Sequence, residues 1–264
     1  MKKTILLILV VSSILMTGCW DKIEIEDRSF VLVIGVDKVL SQNKEDEKKF
    51  LLSFVHPDTA KEEEGKILEY LTFDVEADTF SSGINEVLQR FPKSHSYEHT
   101  TAIVFGKALV EDPEAFKYIL GVFSRNHEFH TSMLMYMTDG KAQDIFEVKP
   151  KMKTLLAYYI TGIAANEKFA ARIERLTFLD LMKKLYDNDG DAVIPVLNSK
   201  EDELYSSYLD VIKDYRLVGQ LERKETVALK WLNNKAKGGV IQLNKNKGNL
   251  PFLYHSFKRT IHLD

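Results

Sequence analysis

The stretch that decides the fold is Phe30-Val31-Leu32-Val33-Ile34-Gly35-Val36, an unbroken apolar run rich in β-branched side chains. A short run of this composition is typical of a buried strand. Polar residues follow at 40–49, and a second strand is expected at 50–55. The charged residues 57–66 then form a loop before a third expected strand at 68–75. The folded part of the chain is therefore expected to begin as a β-meander.

Helical and extended patterns alternate after the meander. Apolar residues in 78–90 fall on one helix face, and Pro92 is expected to end that helix. A strand is expected at 101–105, and Asp112-Pro113-Glu114 is a strong helix start, with an N-cap, a proline at the first helical position and an acid in the first turn. Further elements are expected as a strand at 132–137, helices at 142–146, 152–163 and 167–186, and a short strand at 192–196.

A change of pattern at residues 187–203 marks a candidate domain boundary, because Asp and Asn cluster there around Pro195. Beyond it, strands are expected at 211–212, 215–221, 226–231 and 240–243. Strands and helices alternate without regular βαβ units, which favours an α+β fold. We predict a mixed β-sheet domain with several packed helices over residues 19–203. The start of a second α+β domain is expected over 204–264.

The N-terminus has the pattern of a secretion signal. Lys2 and Lys3 precede an apolar stretch at 4–16. A helix that crosses a bilayer needs about 20 apolar residues, so this stretch is too short. A small-residue cleavage site follows it, as in a signal peptide. Residues 1–18 are therefore predicted to be removed from the mature protein.

The residues at the cleavage site form a lipobox, in which Met16, Thr17 and Gly18 precede Cys19. Thr17 and Gly18 are small enough to enter the signal peptidase, and the Cys19 thiol accepts a diacylglyceryl group. Cys19 is the only cysteine, so an intramolecular disulfide is excluded. Acyl chains such as palmitate each contribute about 0.8 kcal/mol per buried methylene, and several on one cysteine anchor a protein durably. The alternative is an ordinary secreted protein whose cysteine lies near the cleavage site by chance.

The charge pattern argues against one class of partner. The chain has 264 residues and a formal net charge of −3, with both signs interspersed. A nucleic-acid-binding protein would show a basic patch or stripe. We therefore expect no nucleic-acid partner, and the membrane contact is expected through the lipid on Cys19, since no polybasic cluster adds a second attraction to an anionic membrane.

Two histidine pairs are the candidate metal ligands. His95 and His99 would share one face of a helix and bind zinc, but Glu98 is not where the HExxH motif requires it. Their segment also leads into a strand, so surface or capping roles are the alternative. His127 and His130 form a denser pair with a possible metal or proton-sensing role. They precede a strand, where side chains point to opposite faces, so we predict no metal site.

Motifs of catalysis and nucleotide binding are absent from the sequence. It contains no G-x-S-x-G elbow, P-loop or G-x-G-x-x-G. Gly35 and Gly106 each follow or interrupt an apolar strand run, and a turn or close packing explains them. Since no nucleophile, base and oxyanion site come together, we predict no catalytic residues and no enzymatic activity.

The opening of the mature chain resembles the Ger(x)C family, the lipoprotein C subunits of germinant receptors in spore-forming bacteria. The resemblance rests on Cys19, Trp20 and Asp21, followed by Gly35 and Asp37 at the end of the first strand. It continues through HTTAIVFGKALVEDPEAFKYIL, DAVIPVL, YRLVGQL and KWLNNKAKGGVI. It covers nearly the whole chain.

The resemblance implies a non-enzymatic role. The family's lipoprotein lies on the outer face of the spore inner membrane and works with two integral membrane subunits in sensing nutrient germinants. No catalytic residue carries over, and the only bound group implied is the lipid on Cys19. The implied role of this chain is structural or coupling.

Family members continue for roughly another hundred residues, about the size of a small domain. Residues 204–264 are therefore expected to be an incomplete C-terminal domain, containing its first strands only and poorly stabilised. A second hypothesis is a solute-binding lipoprotein of a transporter, which requires two similar lobes and a hinge. The unequal halves of the sequence argue against it. A third, a lipid-anchored hydrolase, has only the histidine pairs in its favour.

Overall fold

The apolar run at 30–36 is divided between two strands, β1 (Arg28–Phe30) and β2 (Val33–Lys38), where one strand was expected. The computed structural model describes residues 3–5, 24, 27–40, 49–58, 70–150, 154–244 and 249–254, and for Ser207 and residues 239–254 the backbone only. The run is divided because its two parts pair in different sheets. β1 lies parallel to Ser94–Ser96, whereas β2 lies between Phe50–Pro57 and Ala102–Phe105.

The other described strands are β3 (Phe50–Pro57), β4 (Tyr70–Ala77), β5 (Ser94–Ser96), β6 (Ala102–Phe105), β7 (Leu134–Met137), β8 (Ala192–Lys200), β9 (Glu203–Lys213), β10 (Arg216–Leu221), β11 (Gly239–Asn244) and β12 (Asn249–Tyr254). The described helices are α1 (Phe80–Arg90), α2 (Lys107–Val110), α3 (Pro113–Arg125), α4 (Ala142–Glu147), α5 (Leu156–Ala165), α6 (Phe178–Asp187) and α7 (Arg223–Leu232). Within these parts of the chain, no helix has the length and apolar character that a membrane crossing needs.

Eight strands form one mixed sheet in the order β10-β9-β8-β7-β6-β2-β3-β4. Its centre is parallel, because β2, β6, β7 and β8 run in the same direction. Antiparallel strands flank the centre on both sides, with β3 and β4 beyond β2 and β9 and β10 beyond β8. The predicted α+β fold with a mixed sheet is confirmed, and the β-meander is β2-β3-β4.

Each face of the sheet carries its own hydrophobic core. Alternate side chains of β2 divide between them, with Ile34 and Val36 on one face and Val33 on the other. Helices α1, α3 and α6 cover the first face, and α4 and α5 cover the second. Full burial of a large apolar side chain contributes about 1.5–3 kcal/mol, so both helix layers are held by the sheet.

Local signals place several helix starts where the sequence predicts them. Thr79 caps α1 by accepting a hydrogen bond from the Ser82 amide. Asp112 caps α3 by accepting from the Glu114 and Ala115 amides, and Pro113 occupies the first helical position. These caps satisfy amide groups that have no partner inside the helix.

Two expected elements are wrong. Residues 226–231, predicted as a strand, lie in α7, which begins with a capping box between Glu222 and Glu225. The helix expected at 167–186 is restricted to 178–187, where Thr177 caps α6 by accepting from the Asp180 amide. In both places a side-chain cap determines where the helix begins, and the apolar pattern alone did not locate it.

The predicted boundary between residues 203 and 204 falls at the start of β9, directly after the turn that joins β8 to β9. These strands pair antiparallel along their length, from Ala192 opposite Ile212 to Lys200 opposite Glu203. We call residues 27–200 the body and residues 203–232 the joined segment. Because the joined segment contains α7, the expectation of strands only is wrong there. Its Leu204, a side chain only 4% exposed, packs in the second core, and the weak stabilisation expected of residues 204–264 stays a prediction.

A buried ion cluster attaches α7 to the body. The Lys230 side chain is 2% exposed, and its Nζ lies 3.0 Å from Glu167 Oε1 and 3.1 Å from Glu174 Oε2. Nζ also donates a hydrogen bond of 2.5 Å to the Ile173 carbonyl. Removing one partner of a buried ion pair is strongly destabilising, because the remaining charge is left without compensation.

We expect Lys230→Met to lower the free energy of unfolding by about 3 kcal/mol, because two carboxylates lose their central cation. Lys224→Met, on the exposed side of α7, is the matched control and should change it by less than about 0.5 kcal/mol. Urea denaturation of the three proteins measures both values. Equal stability of the two variants would show that the cluster does not hold α7 to the body.

Candidate functional site

The parallel strands end together at one side of the sheet, which we call the carboxyl edge. It is marked by Asp37 near the end of β2, Gly106 after β6, Asp139 after β7 and Asn198 near the end of β8. Ligand sites of open sheets with parallel strands form at this position. Sequence analysis had identified Asp37 and Gly106. Asp139 and Asn198 are recognised as their neighbours only from the sheet topology.

Asp37 is the buried anchor of the carboxyl edge, with 3% of its surface exposed. Its Oδ1 accepts a 2.7 Å hydrogen bond from the Ala142 amide, and Oδ2 accepts a 3.0 Å bond from the Gln143 amide. These amides open α4, and Lys141 before them supplies no side-chain cap. Asp37 therefore caps a helix more than a hundred residues away in sequence. Burial raises the pKa of Asp37 above its ordinary value, and the two amide donors oppose that rise.

The two glycines of this region are required by close packing around Asp37 and α4. A Cβ atom at Gly106 would lie 1.8 Å from Asp37 Oδ1. A Cβ atom at Gly35 would lie 2.5 Å from Cε2 of Phe146 on α4. Gly35 and Asp37 thus act together to seat α4 against the sheet, and the close-packing explanation applies to both glycines.

A polar cluster beside Asp37 connects the body to the joined segment. Asn198 Nδ2 donates to Asp139 Oδ2 at 2.6 Å, and the Tyr208 hydroxyl donates to the same oxygen. Gln220 Nε2 donates to Asp210 Oδ1 at 3.0 Å and to Asp139 Oδ1 at 3.4 Å. Sequence analysis missed the cluster, because its members are up to 81 residues apart and share no motif.

The cluster contains a carboxyl group with a shifted pKa. Burial raises the pKa of Asp210 to about 6, the Gln220 hydrogen bond lowers it, and the nearby Asp139 charge raises it. The polar groups of this cluster form hydrogen bonds chiefly with one another. The arrangement is therefore suited to joining two parts of the chain, and it contains no activated nucleophile.

The opposite end of the parallel strands forms the amino-edge groove, a cavity of about 380 Å³. Its lining includes Glu98, His99, His130, Ser132 and Arg175. One histidine of each predicted pair lies here, although neither pair is itself a site. Sequence analysis paired each histidine with its neighbour along the chain. The fold instead brings His99, in the loop after β5, to the same groove as His130, in the loop before β7.

The partners of these two histidines lie elsewhere. His127 is exposed in the turn after α3. His95, on β5, packs its ring 4.6 Å from the ring of His56, between Phe91 and Phe54. Over the part of the chain that the structure describes, no three His, Cys, Asp or Glu side chains are grouped to hold a metal ion.

Sequence analysis did not consider His56, which is 1% exposed. Its Nδ1 is hydrogen-bonded to Ser29 Oγ at 2.9 Å. Burial lowers the pKa of His56 to about 3, with a further contribution from the charge of His95. Burial also lowers the pKa of His95 to about 4. Both rings are therefore neutral near pH 7, and they join β1, β3 and β5 in one aromatic cluster.

The remaining predicted site residues lie outside the described part of the chain, and their roles stay predictions: Met16, Thr17, Gly18, Cys19, Trp20 and Asp21.

The buried histidines predict acid sensitivity. Their folded pKa values lie below the unfolded value of about 6.5, so the unfolded chain binds more protons as pH falls. The free energy of unfolding should therefore fall between about pH 7 and pH 4, by up to about 1.4 kcal/mol per pH unit for each histidine. His95→Phe, which suits the aromatic surroundings, should make the decline shallower.

The control for this measurement is His127→Gln, which changes an exposed histidine and should leave the decline unchanged. Asp210 acts in the opposite direction, because its raised pKa stabilises the fold as pH falls through about 6. Comparison with the wild type at each pH cancels that contribution. A His95→Phe profile parallel to the wild-type profile would contradict the assignment.

Comparison with protein families gives two matches in tandem. Residues 21–199 match the family described as "Spore germination protein N-terminal domain". Residues 208–263 match the family described as "Spore germination B3/ GerAC like, C-terminal". The turn from β8 into β9 lies between the two matches.

Three relatives from Bacillus subtilis (strain 168) are similar over most of the chain. Spore germination protein A3 is 22% identical over 259 residues, covering 97% of this chain and 67% of the relative. Spore germination protein YndF is 24% identical, with 91% and 65% covered, and spore germination protein B3 is 23% identical, with 85% and 59% covered. This chain thus spans about two thirds or less of their lengths.

Among solved structures, the crystal structure of the GerBC protein is similar to this chain, with a TM-score of 0.40 and 17% identity, covering 83% of this chain and 62% of that one. The resemblance inferred from the opening motif is confirmed by the family matches. Since the first of these matches alone includes more than half of the residues, the chain belongs to the Ger(x)C family of spore germination proteins.

Proposed function

We propose that this protein is a lipid-anchored, non-enzymatic subunit of a nutrient germinant receptor complex that acts in spore germination. The observation that carries the proposal is the order of features along the chain. The first family match begins at residue 21, two residues after the lipobox cysteine, and the second follows it without a long gap. The lipid attachment site therefore directly precedes the family's two domains.

The proposed anchor is a diacylglyceryl group on Cys19, which holds the protein on the outer surface of the spore inner membrane. β1 begins at Arg28, nine residues after the cysteine. An extended chain spans at most about 3.3–3.6 Å per residue, so the start of the fold lies within about 30 Å of the anchor. At that distance the folded protein can contact integral membrane subunits of the receptor, its proposed partners.

The non-enzymatic part of the proposal is supported by how the polar groups are used. Asp139, Asp210 and Gln220 at the carboxyl edge bond to one another, and Lys230 neutralises the buried glutamates. Both sets connect the body to the joined segment. A subunit that transmits a change between partners needs such joints.

The transporter alternative is less consistent with this architecture. A solute-binding lipoprotein closes two lobes about a hinge. Here one sheet extends from β4 to β10 and carries a core on each face. The strands of this sheet and the helices that cover its faces therefore form one layered unit, with no interlobe cleft among them.

The proposal is tested by affinity capture of the tagged protein from detergent-solubilised spore membranes, followed by mass spectrometry. We expect integral receptor subunits to co-purify with the wild type. We expect Cys19→Ala to leave the membrane fraction, because the lipid is its main attachment. Lys224→Met is the matched control and should behave like the wild type.

Two outcomes would contradict the proposal. Capture of transporter components in place of receptor subunits would favour the solute-binding alternative. If Cys19→Ala stays fully in the membrane fraction, the lipid on Cys19 is not what anchors the protein.

A further inference from the structure

The amino-edge groove holds two opposite charges that are not paired. Glu98 and Arg175 are both exposed and both line it. Neither side chain forms an ion pair with any residue that the structure describes, including the other. A ligand that carries both a negative and a positive group would complement these two charges.

The hydrogen-bond donors of the groove favour a phosphate. The hydroxyls of Thr100, Thr101 and Thr161 already donate to backbone carbonyls. Among the described residues, the side chains of His99, His130 and Ser132 and the Arg175 guanidinium have no hydrogen-bond partner, so they are available as donors. Arginine with several further hydrogen-bond donors is a typical phosphate-binding set. Glu98 would repel a purely anionic ligand, and it attracts one that also carries an ammonium group.

The groove lies where the chain enters the fold from the proposed lipid anchor. The ring of Phe30 on β1 contacts the ring of His99 at 4.8 Å between centroids. Thr100 Oγ1 donates to the Val31 carbonyl at 3.0 Å. The chain from Cys19 to Asp27 spans at most about 28 Å. The acidic cluster of Asp139 and Asp210 lies at the opposite edge of the sheet.

We propose that the amino-edge groove binds the headgroup of a zwitterionic phospholipid of the phosphoethanolamine class. Arg175, His99, His130 and Ser132 hold the phosphate, and Glu98 holds the ammonium group. A volume of about 380 Å³ is at the small end of the range for ligand sites, about 300–1,000 Å³, and suits a headgroup without its acyl chains. The inference rests on the proposed function, because the lipid anchor is what places the groove at the membrane.

The test measures binding to vesicles with residues 19–264 carrying Cys19→Ser, so that no acyl chain contributes. This form omits only the proposed signal peptide and contains every strand of the sheet and both cores. Vesicles of phosphatidylcholine are compared with vesicles that also contain phosphatidylethanolamine or phosphatidylglycerol. We expect the strongest binding to those with phosphatidylethanolamine.

The test variant is Glu98→Gln with Arg175→Gln, which leaves the net charge unchanged. It should weaken binding to phosphatidylethanolamine vesicles by about tenfold, because two charge-assisted hydrogen bonds are lost. Glu203→Gln with Arg216→Gln is the matched control, since both side chains are exposed and neither lines the groove. Unchanged binding by the test variant, or equal binding to all three vesicles, overturns the inference.

Soluble O-phosphoethanolamine and serine distinguish the source of the ligand. We expect each to compete with vesicles only weakly, because neither is held at the membrane. Tight binding of either one, without preference among vesicles, overturns the lipid assignment in favour of a soluble zwitterion.

Mass spectrometry of Cys19 in the wild-type protein separates the two proposals. An acylated Cys19 with no preference for phosphatidylethanolamine overturns this inference alone. An unmodified Cys19 together with a preference for phosphatidylethanolamine supports headgroup binding by the groove and contradicts lipidation of Cys19.

Discussion

The hydrogen bonds from the Ala142 and Gln143 amides to the Asp37 carboxylate are the constraint on which the rest of the structure depends. They fix the start of α4 at the end of β2, so that α4 and the helix after it cover the second face of the sheet. This geometry leaves no space for a side chain at Gly35 or Gly106. The Gly35 and Asp37 motif therefore packs α4 against the sheet. This structural role explains the motif without any catalytic chemistry.

The same sheet carries the structure from one family domain into the other. β8 and β9 pair across the predicted boundary, and two polar joints reinforce that pairing. One is the cluster of Asp139 and Asp210 at the carboxyl edge, and the other is Lys230 between its glutamates. The Lys230 joint is buried, and a buried joint is sensitive to loss of any one member. A displacement at one domain is therefore expected to be transmitted to the other, as the proposed coupling role requires.

The features predicted from sequence were those with local signals. Asp112-Pro113 placed the start of α3, and the apolar runs placed the meander, because caps and burial patterns act within a few residues. α7 was mistaken for a strand, since its capping box at Glu222 and Glu225 was overlooked. The joint of Asp139 with Gln220 and the meeting of His99 with His130 had no local signal, because only the folded topology brings them together.

Native-state hydrogen exchange of the Ala142 and Gln143 amides tests the central claim most directly, because both donate to the carboxylate that organises the fold. The account predicts that these amides exchange only with the slow opening that also exposes the amides of β2, and with the same free energy. Exchange of both amides at the rate of exposed groups, while β2 stays protected, would contradict it. In that case Asp37 would not hold α4, and the packing role assigned to the Gly35 and Asp37 motif would fail.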